Sequence, residues 1–323
     1  MDSIFAEIAR VFKISFNHFV VNIQQFSFDN LFLFTAFCLA LAFILEAILP
    51  RKLDYALMGR KGFWLDAFYV LLYDFIIIFL GIFAVFHLCE QLFFKVIGML
   101  GISKEQILIY NADSLNPVLH FILIFIIIDF MEWLAHYCMH RFDTLWAIHK
   151  IHHANEQIGV TSSRRFHLFE YLVFKPFAFI PTIFIGGIPA YFAPTYSFII
   201  IFFAFFTHAN AKLPIGYFNY VLNTSNTHIW HHAKNFPNKY GVNFASVLNI
   251  WDVIFGLYYL PKNKTPILGV HDVGAVPNTI IGQFLYPFKY WFSNRKISNR
   301  YDLFEDHDIN KSNKSNKSKK KKK

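Results

Sequence analysis

The sequence predicts an all-α integral membrane protein, with about four to five transmembrane or re-entrant helices and a helical cap on the cytoplasmic side. Three observations lead there. Of 323 residues, 55% are apolar, only 16% are charged, and phenylalanine occurs 42 times, a make-up unlike that of a soluble domain. Uninterrupted apolar runs such as Asn30 to Leu49 and Phe68 to Leu88 match the roughly 20 helical residues that cross a bilayer. The pattern His-x-x-His-His occurs twice, as HKIHH at 149–153 and HIWHH at 228–232, where 15 scattered histidines would give roughly 0.03 matches by chance.

Residues 1–28 form the first expected unit. Ile4, Ile8, Phe12, Phe16, Phe19 and Ile23 recur at helical spacing with Glu7, Arg10 and Asn17 opposite, which predicts an amphipathic interfacial helix. Asp2, Glu7, Arg10 and Lys13 break up the apolar core that a cleaved signal peptide needs. Residues 29–116 hold two spans and an outer loop. Cys38, Cys89 and Cys138 form no paired framework and indicate no oxidising compartment.

Residues 117–260 are the expected catalytic unit. A third apolar segment, Pro117 to Ala135, leads directly into histidines, and a fourth runs from Tyr171 to His208. Pro176, Pro181, Gly186, Gly187, Pro189 and Pro194 interrupt the latter, so it reads as a helical hairpin or re-entrant pair. Residues 261–309 follow as a C-terminal cytoplasmic extension. Residues 310–323 form a disordered tail with eight lysines and no acid, read either as a solvated extension or as a contact with anionic membrane lipids. It does not make the chain a nucleic-acid binder, since it accounts for nothing upstream.

Flanking charge sets the orientation. Arg51, Lys52, Arg60 and Lys61, then Arg141, Lys150, Arg164 and Arg165, then Lys212, Lys234 and Lys239 mark three cytoplasmic segments, while the Cys89 to Asn116 loop has only Lys95 and Lys104. Both histidine motifs therefore fall on the cytoplasmic face of the membrane.

The histidines that gather there are His136, His140, His149, His152, His153, His167, His208, His228, His231 and His232. Spacing i, i+4 places His136 and His140 on one helical face, and i, i+3, i+4 does the same within each motif. Adjacent buried imidazoles have no packing advantage over the phenylalanine this chain uses freely, so metal coordination is expected. One zinc takes three or four protein ligands, so this many imidazoles call for two metals. Imidazole suits iron, copper and zinc alike, but an open nitrogen-rich pair facing lipid suits iron and oxygen chemistry. The alternative, a zinc or copper binding or transport protein, would want histidines or carboxylates along the spans, whereas the clustered histidines all follow spans. His18, His87, His120 and His307 are read as ordinary core or interface residues, and His271 is left unassigned. His120 precedes His136 by 16 residues, about 24 Å of helix, and cannot join the cluster. Asp129 shares a helical face with Trp133, His136 and His140, and either accepts a ring N–H from a ligand histidine or simply sits at the end of the span. Glu170 and Asp252 have the same standing.

The stretch from Asp129 to His153, DFMEWLAHYCMHRFDTLWAIHKIHH, resembles the membrane sterol desaturase and fatty acid hydroxylase superfamily, as does HANEQIGVTSSRRFHLFEY after it. The later stretch through HIWHH, with Asn243, Trp251, Asp252, Phe255 and Gly256, is similar to the same family. The resemblance covers roughly residues 129–260. It implies a non-haem di-iron centre with His136, His140, His149, His152, His153, His208, His228, His231 and His232 as ligands, and His167 by likeness to bacterial members. It also implies an enzyme that hydroxylates or desaturates a sterol, fatty acyl or alkyl lipid with O2. Tyr137, Thr227 and Leu257 depart from the family's usual residues, which bears on the substrate and not on the metal. The chain has no dinucleotide fingerprint, haem-attachment motif or iron–sulfur cysteine set, so an external reductant is implied: a b-type cytochrome, a ferredoxin or a tetrahydropterin.

Overall fold

The protein was analysed as a computed structural model that describes residues 31–51, 59–80, 82–109, 115–186, 192–235, 237–262, 264–271 and 276–292, with a few isolated positions before residue 14. The expected interfacial segment 1–28, apart from those few positions, and the lysine-rich tail 310–323 lie outside the described residues. The described chain is helical throughout, with α1 (Leu31–Ile48), α2 (Phe63–Leu80), α3 (Ile82–Met99), α4 (Pro117–Arg141) and α5 (Asp143–His153) in its first half. The second half holds α6 (Leu168–Phe179), α7 (Phe192–His208), α8 (Ser225–His231), α9 (Ile250–Ile254) and α10 (Ile280–Trp291). Among the described residues only isolated β-bridges occur, and no strand.

Local sequence explains where the key helices begin and end. Asn116 caps α4 by accepting from the Leu119 N–H, and Pro117 occupies the first turn, where its missing N–H costs nothing. Phe142 is extended, at φ −105° and ψ 126°. α4 therefore stops there, and α5 starts one residue later in a new direction. Thr224 caps α8 through the Asn226 N–H, while the Thr227 hydroxyl accepts from the Thr224 N–H, a reciprocal capping box.

One expectation is corrected. The loop expected from Cys89 begins later, because α3 continues to Met99 and the chain turns only at Gly101, φ +76°. Glu90, Gln91 and Lys95 are polar but good helix formers. Among the described residues a single helix, α4, is long and apolar enough to cross a bilayer. The remaining apolar helices are shorter pieces, at Leu33–Ile48, Phe63–Tyr73 and Thr195–His208.

Packing then places the site. α4 lies against α6, α7 against α1, α8 against α7, and α5 against α10. One apolar core joins α1 to α7 through Cys38, Ala42, Ile201 and Phe205, and another joins α4, α6 and α7 through Ile124, Ile128, Phe179 and Tyr196. The turn at 155–165 is braced by buried polar groups: Asp66 lies 3.6 Å from Arg60 and 3.3 Å from Arg165, and accepts from Asn155 and Ser162. Glu46 of α1 accepts from the Val160 and Asn210 N–H groups. The C-terminal ends of α4 and α7 thus meet α5 and α8 in one place.

Candidate metal centre

Nine histidines converge there in two groups. His136, His140, His149, His153 and His231 form one, and His152, His208, His228 and His232 the other, with one ligand nitrogen of each within 4.8 Å of every other in its group. All nine are buried. The groups adjoin, since the rings of His153 and His232 stack at 4.4 Å. Each His-x-x-His-His motif divides between them. The i, i+4 pair goes to one group and the i+3 residue to the other, because neighbouring positions on a helix point about 100° apart. A single face aiming all three imidazoles at one centre, as the spacing suggested, is therefore corrected.

The orientation of the rings decides what they can bind. Nδ1 of His136, His140 and His231 lies 2.8, 3.1 and 2.9 Å from the carbonyl oxygens of Phe244, Tyr240 and Val242. Nδ1 of His152 and His208 meets those of Arg165 at 3.3 Å and Ala204 at 2.8 Å. A carbonyl only accepts, so these nitrogens carry the proton and each Nε2 keeps its lone pair. Nδ1 of His149 lies 3.0 Å from Glu170 Oε1 without hydrogen-bond geometry, so this contact leaves the tautomer of His149 unassigned. In the group of four the Nε2 lone pairs of His152 and His208 face each other at 3.2 Å, and in the group of five His136 Nε2 lies 3.0 Å from His149 Nε2. His231 Nε2 is buried with no hydrogen-bond partner. Lone pairs so close, with no proton between them, repel unless a cation separates them.

Charge agrees. Burial first, and neighbouring imidazoles second, hold His152, His153, His228, His231 and His232 well below the usual histidine range. They are neutral at physiological pH, the form that ligates a metal.

The segment 240–248, in which the sequence reading named only Asn243, organises half of this. Positive φ at Gly241 (+119°) and Asn243 (+56°) separates the three carbonyls that hold His140, His231 and His136 and turns them to one side. A Cβ on Gly241 would lie 3.1 Å from Phe244 Cζ and 3.3 Å from His140 Nδ1, so only glycine fits. Asn243 ties the segment to α8 by donating to the Thr227 carbonyl, and to Tyr259 by donating to its carbonyl and accepting from its N–H.

Asp129 and Asp252 serve the same segment, which corrects the reading that has them accept from a ligand histidine. Asp252 accepts from the Phe244 and Ala245 N–H groups and from Trp133 Nε1. Asp129 accepts from the Val247 and Leu248 N–H groups and from Trp251 Nε1. Each aspartate holds the other helix's tryptophan, clamping α4 to α9. Glu170 differs, since it stands against an imidazole. His167 is also corrected: Nε2 donates to the Phe284 carbonyl at 2.9 Å and Nδ1 accepts from the Phe169 N–H at 3.1 Å, leaving no nitrogen for a metal. His271 lies against the Lys234 carbonyl, outside both groups.

A cavity of about 150 Å3 opens beside the centre, bounded by His136 and His149 of one group and His152, His208 and His228 of the other. Tyr73, Phe166, Ile200, Phe203 and Ala204 supply its apolar wall.

Residues 121–257 match the fatty acid hydroxylase family. The chain is 29% identical over 171 residues to ornithine lipid hydroxylase OlsE of Rhizobium tropici, covering 50% of this chain and 48% of that one. It is 31% identical over 147 residues to alkylglycerol monooxygenase of Xenopus tropicalis, covering 44% and 31%, and 28% identical over 174 residues to that of Homo sapiens, covering 52% and 36%. It thus spans about half, or less, of the length of these curated relatives. No solved structure matches it. The segment that gathers the nine imidazoles, residues 121–257, is a fatty acid hydroxylase domain of the membrane sterol desaturase and fatty acid hydroxylase superfamily.

Proposed function

We propose that the chain is a membrane-bound, O2-dependent di-iron oxidoreductase that hydroxylates a lipid at an unactivated C–H bond. The observation that carries this is the pair of imidazole clusters, with Nε2 atoms 3.0 to 3.2 Å apart and the tautomers of His136, His140, His231, His152 and His208 set by backbone carbonyls. The donor set fits two cations, one held by His136, His140, His149, His153 and His231, the other by His152, His208, His228 and His232. Iron bound there supplies dioxygen activation and attack on the C–H bond.

The chain's own residues have separate tasks. The carbonyls of 240, 242 and 244 orient three imidazoles, and Glu170 stands 3.0 Å from Nδ1 of His149. Burial of all nine rings excludes water from the centre. Phe166, Ile200, Phe203 and Ala204 present an apolar wall to the substrate beside it. Relatives named hydroxylase and monooxygenase favour oxygen insertion over desaturation, and their names favour a lipid as substrate. Reducing dioxygen to water takes four electrons and the C–H bond provides two. The other two come from an external donor, a b-type cytochrome, a ferredoxin or a tetrahydropterin.

Lipid mass spectrometry of cells with and without the protein tests the reaction, together with elemental analysis of purified chain. A lipid heavier by one oxygen, and two iron atoms per chain, are expected. An unchanged lipid profile, or a single metal indifferent to His231→Ala, overturns the proposal. A cytoplasmic site further requires that an impermeant thiol reagent miss a cysteine placed at Asn235 in intact cells and reach one at Asn111.

A further inference from the structure

A second cavity, of about 250 Å3, lies between α2, the start of α6 and α10, with Tyr69, Leu72, Leu168, Ile280 and Phe284 in its wall. Tyr73, Phe166 and Tyr171 line both this cavity and the one beside the histidines. The three aromatic rings are in contact, Tyr73 lying 5.0 Å from Phe166 and 5.8 Å from Tyr171, edge to face. They form the partition between the two spaces.

The two sides of that partition differ in chemistry. The outer cavity is apolar apart from tyrosine and His167, whose two nitrogens are already engaged by the Phe284 carbonyl and the Phe169 N–H. The inner one is rich in polar side chains: Glu132, Ser163, Arg164, Glu170, Thr207 and Ser246. At the partition, the Tyr171 hydroxyl is buried with no hydrogen-bond partner. An apolar cavity stays dry and takes apolar guests, whereas a buried hydroxyl without a partner gains when an acceptor arrives. On its outer side α10 exposes Ile281, Leu285 and Phe292, so the apolar end of the pair adjoins a surface suited to lipid.

We propose that the two cavities are one binding site for an amphiphilic lipid. Its hydrocarbon chain occupies the outer cavity and its polar head the inner one, and the Tyr171 hydroxyl donates to an oxygen at the junction. The inference rests on the lipid-hydroxylase reading of the histidine centre and adds which end of the lipid meets it. The reacting carbon belongs to the head or to chain positions beside it, not to the chain's far end. His167 takes a positioning role, tying α10 to the start of α6 at the outer cavity.

Photolabelling of the full chain in detergent tests this without turnover, using monopalmitoylglycerol with a diazirine on the last chain carbon or, separately, on the glycerol. The chain-end probe is expected on Leu72, Leu168 or Phe284, and the glycerol probe on Ser163, Thr207 or Ser246. The reverse pattern, or labelling of neither cavity, overturns the proposal. Leu72→Trp, which fills the outer cavity, should abolish chain-end labelling and leave metal content unchanged. Tyr171→Phe should weaken capture of both probes about fivefold, the loss of one hydrogen bond, without moving the labelled residues; unchanged capture removes the hydroxyl from the site. Metal analysis of the same samples separates the two readings. Labelled protein that binds no metal keeps the lipid site and ends the hydroxylase proposal, and metal-loaded protein labelled in neither cavity does the reverse.

Discussion

The two histidine groups are built from the same motif but are held differently. In the group of five, His136, His140 and His231 are oriented by backbone carbonyls of one short segment, and His149 lies against Glu170. In the group of four, carbonyls orient His152 and His208, while Nδ1 of His228 and of His232 is buried with no hydrogen-bond partner. The second group also gives three of its four members to the cavity wall, against two of five for the first. The group of five is thus the more fully anchored, and the group of four keeps two rings, His228 and His232, whose Nδ1 has no partner.

Replacing a ligand tests the division most severely. His231→Ala should empty the group of five and His228→Ala the group of four, each halving bound metal by elemental analysis. Activity in either should fall by more than the roughly 10–100-fold that loss of an outer partner costs. If either substitution removes both metals equally, the two groups are one site and the comparison fails.

Acid should act next most strongly. Folded His152, His153, His228, His231 and His232 titrate well below the ordinary 6.5, so at mildly acid pH the unfolded chain binds more protons than the folded one. Stability of the metal-free protein is then full above about pH 6.5 and falls as pH drops, by about 1.4 kcal/mol per unit for each histidine still neutral. Denaturant titration across pH measures this, and a flat profile would contradict the burial argument.

Asp252→Asn should cost about 2 kcal/mol, because one amide oxygen replaces a carboxylate that accepts from Phe244, Ala245 and Trp133. Metal in the group of five should weaken before that in the group of four, since only the former leans on residues 240–244. Glu170→Gln sharpens the same contrast, lowering metal affinity about 10–100-fold in the group of five alone. Competition with a chelator, followed metal by metal, reads both. His271→Ala should change nothing in metal content, and a loss would place that ring in the centre after all.

Much of the site was legible because helical spacing is local. His149 with His153, and His228 with His232, meet as i, i+4 partners whatever else the chain does. Asp129 could not be read the same way. Its helical face pointed toward His136, yet its carboxylate meets the N–H groups of Val247 and Leu248, and backbone donors leave no mark in a side-chain pattern. His167 failed for a related reason, since a histidine near a ligand motif looks the same whether its nitrogens face a metal or the Phe284 carbonyl.

By itself the sequence determined that helices dominate, that an apolar α4 delivers two histidines to its C-terminal end, and that two further motifs carry the rest. These follow from short-range periodicity, which depends only on bonded geometry. The tertiary structure alone decided which histidines from different helices share a group, that the Gly241–Asn243 turn aims three imidazoles, and that two cavities share an aromatic wall. Those depend on contacts between elements far apart in the chain, such as His136 with Phe244, Trp133 with Asp252 and Tyr73 with Phe166, which close packing and not bonded geometry settles.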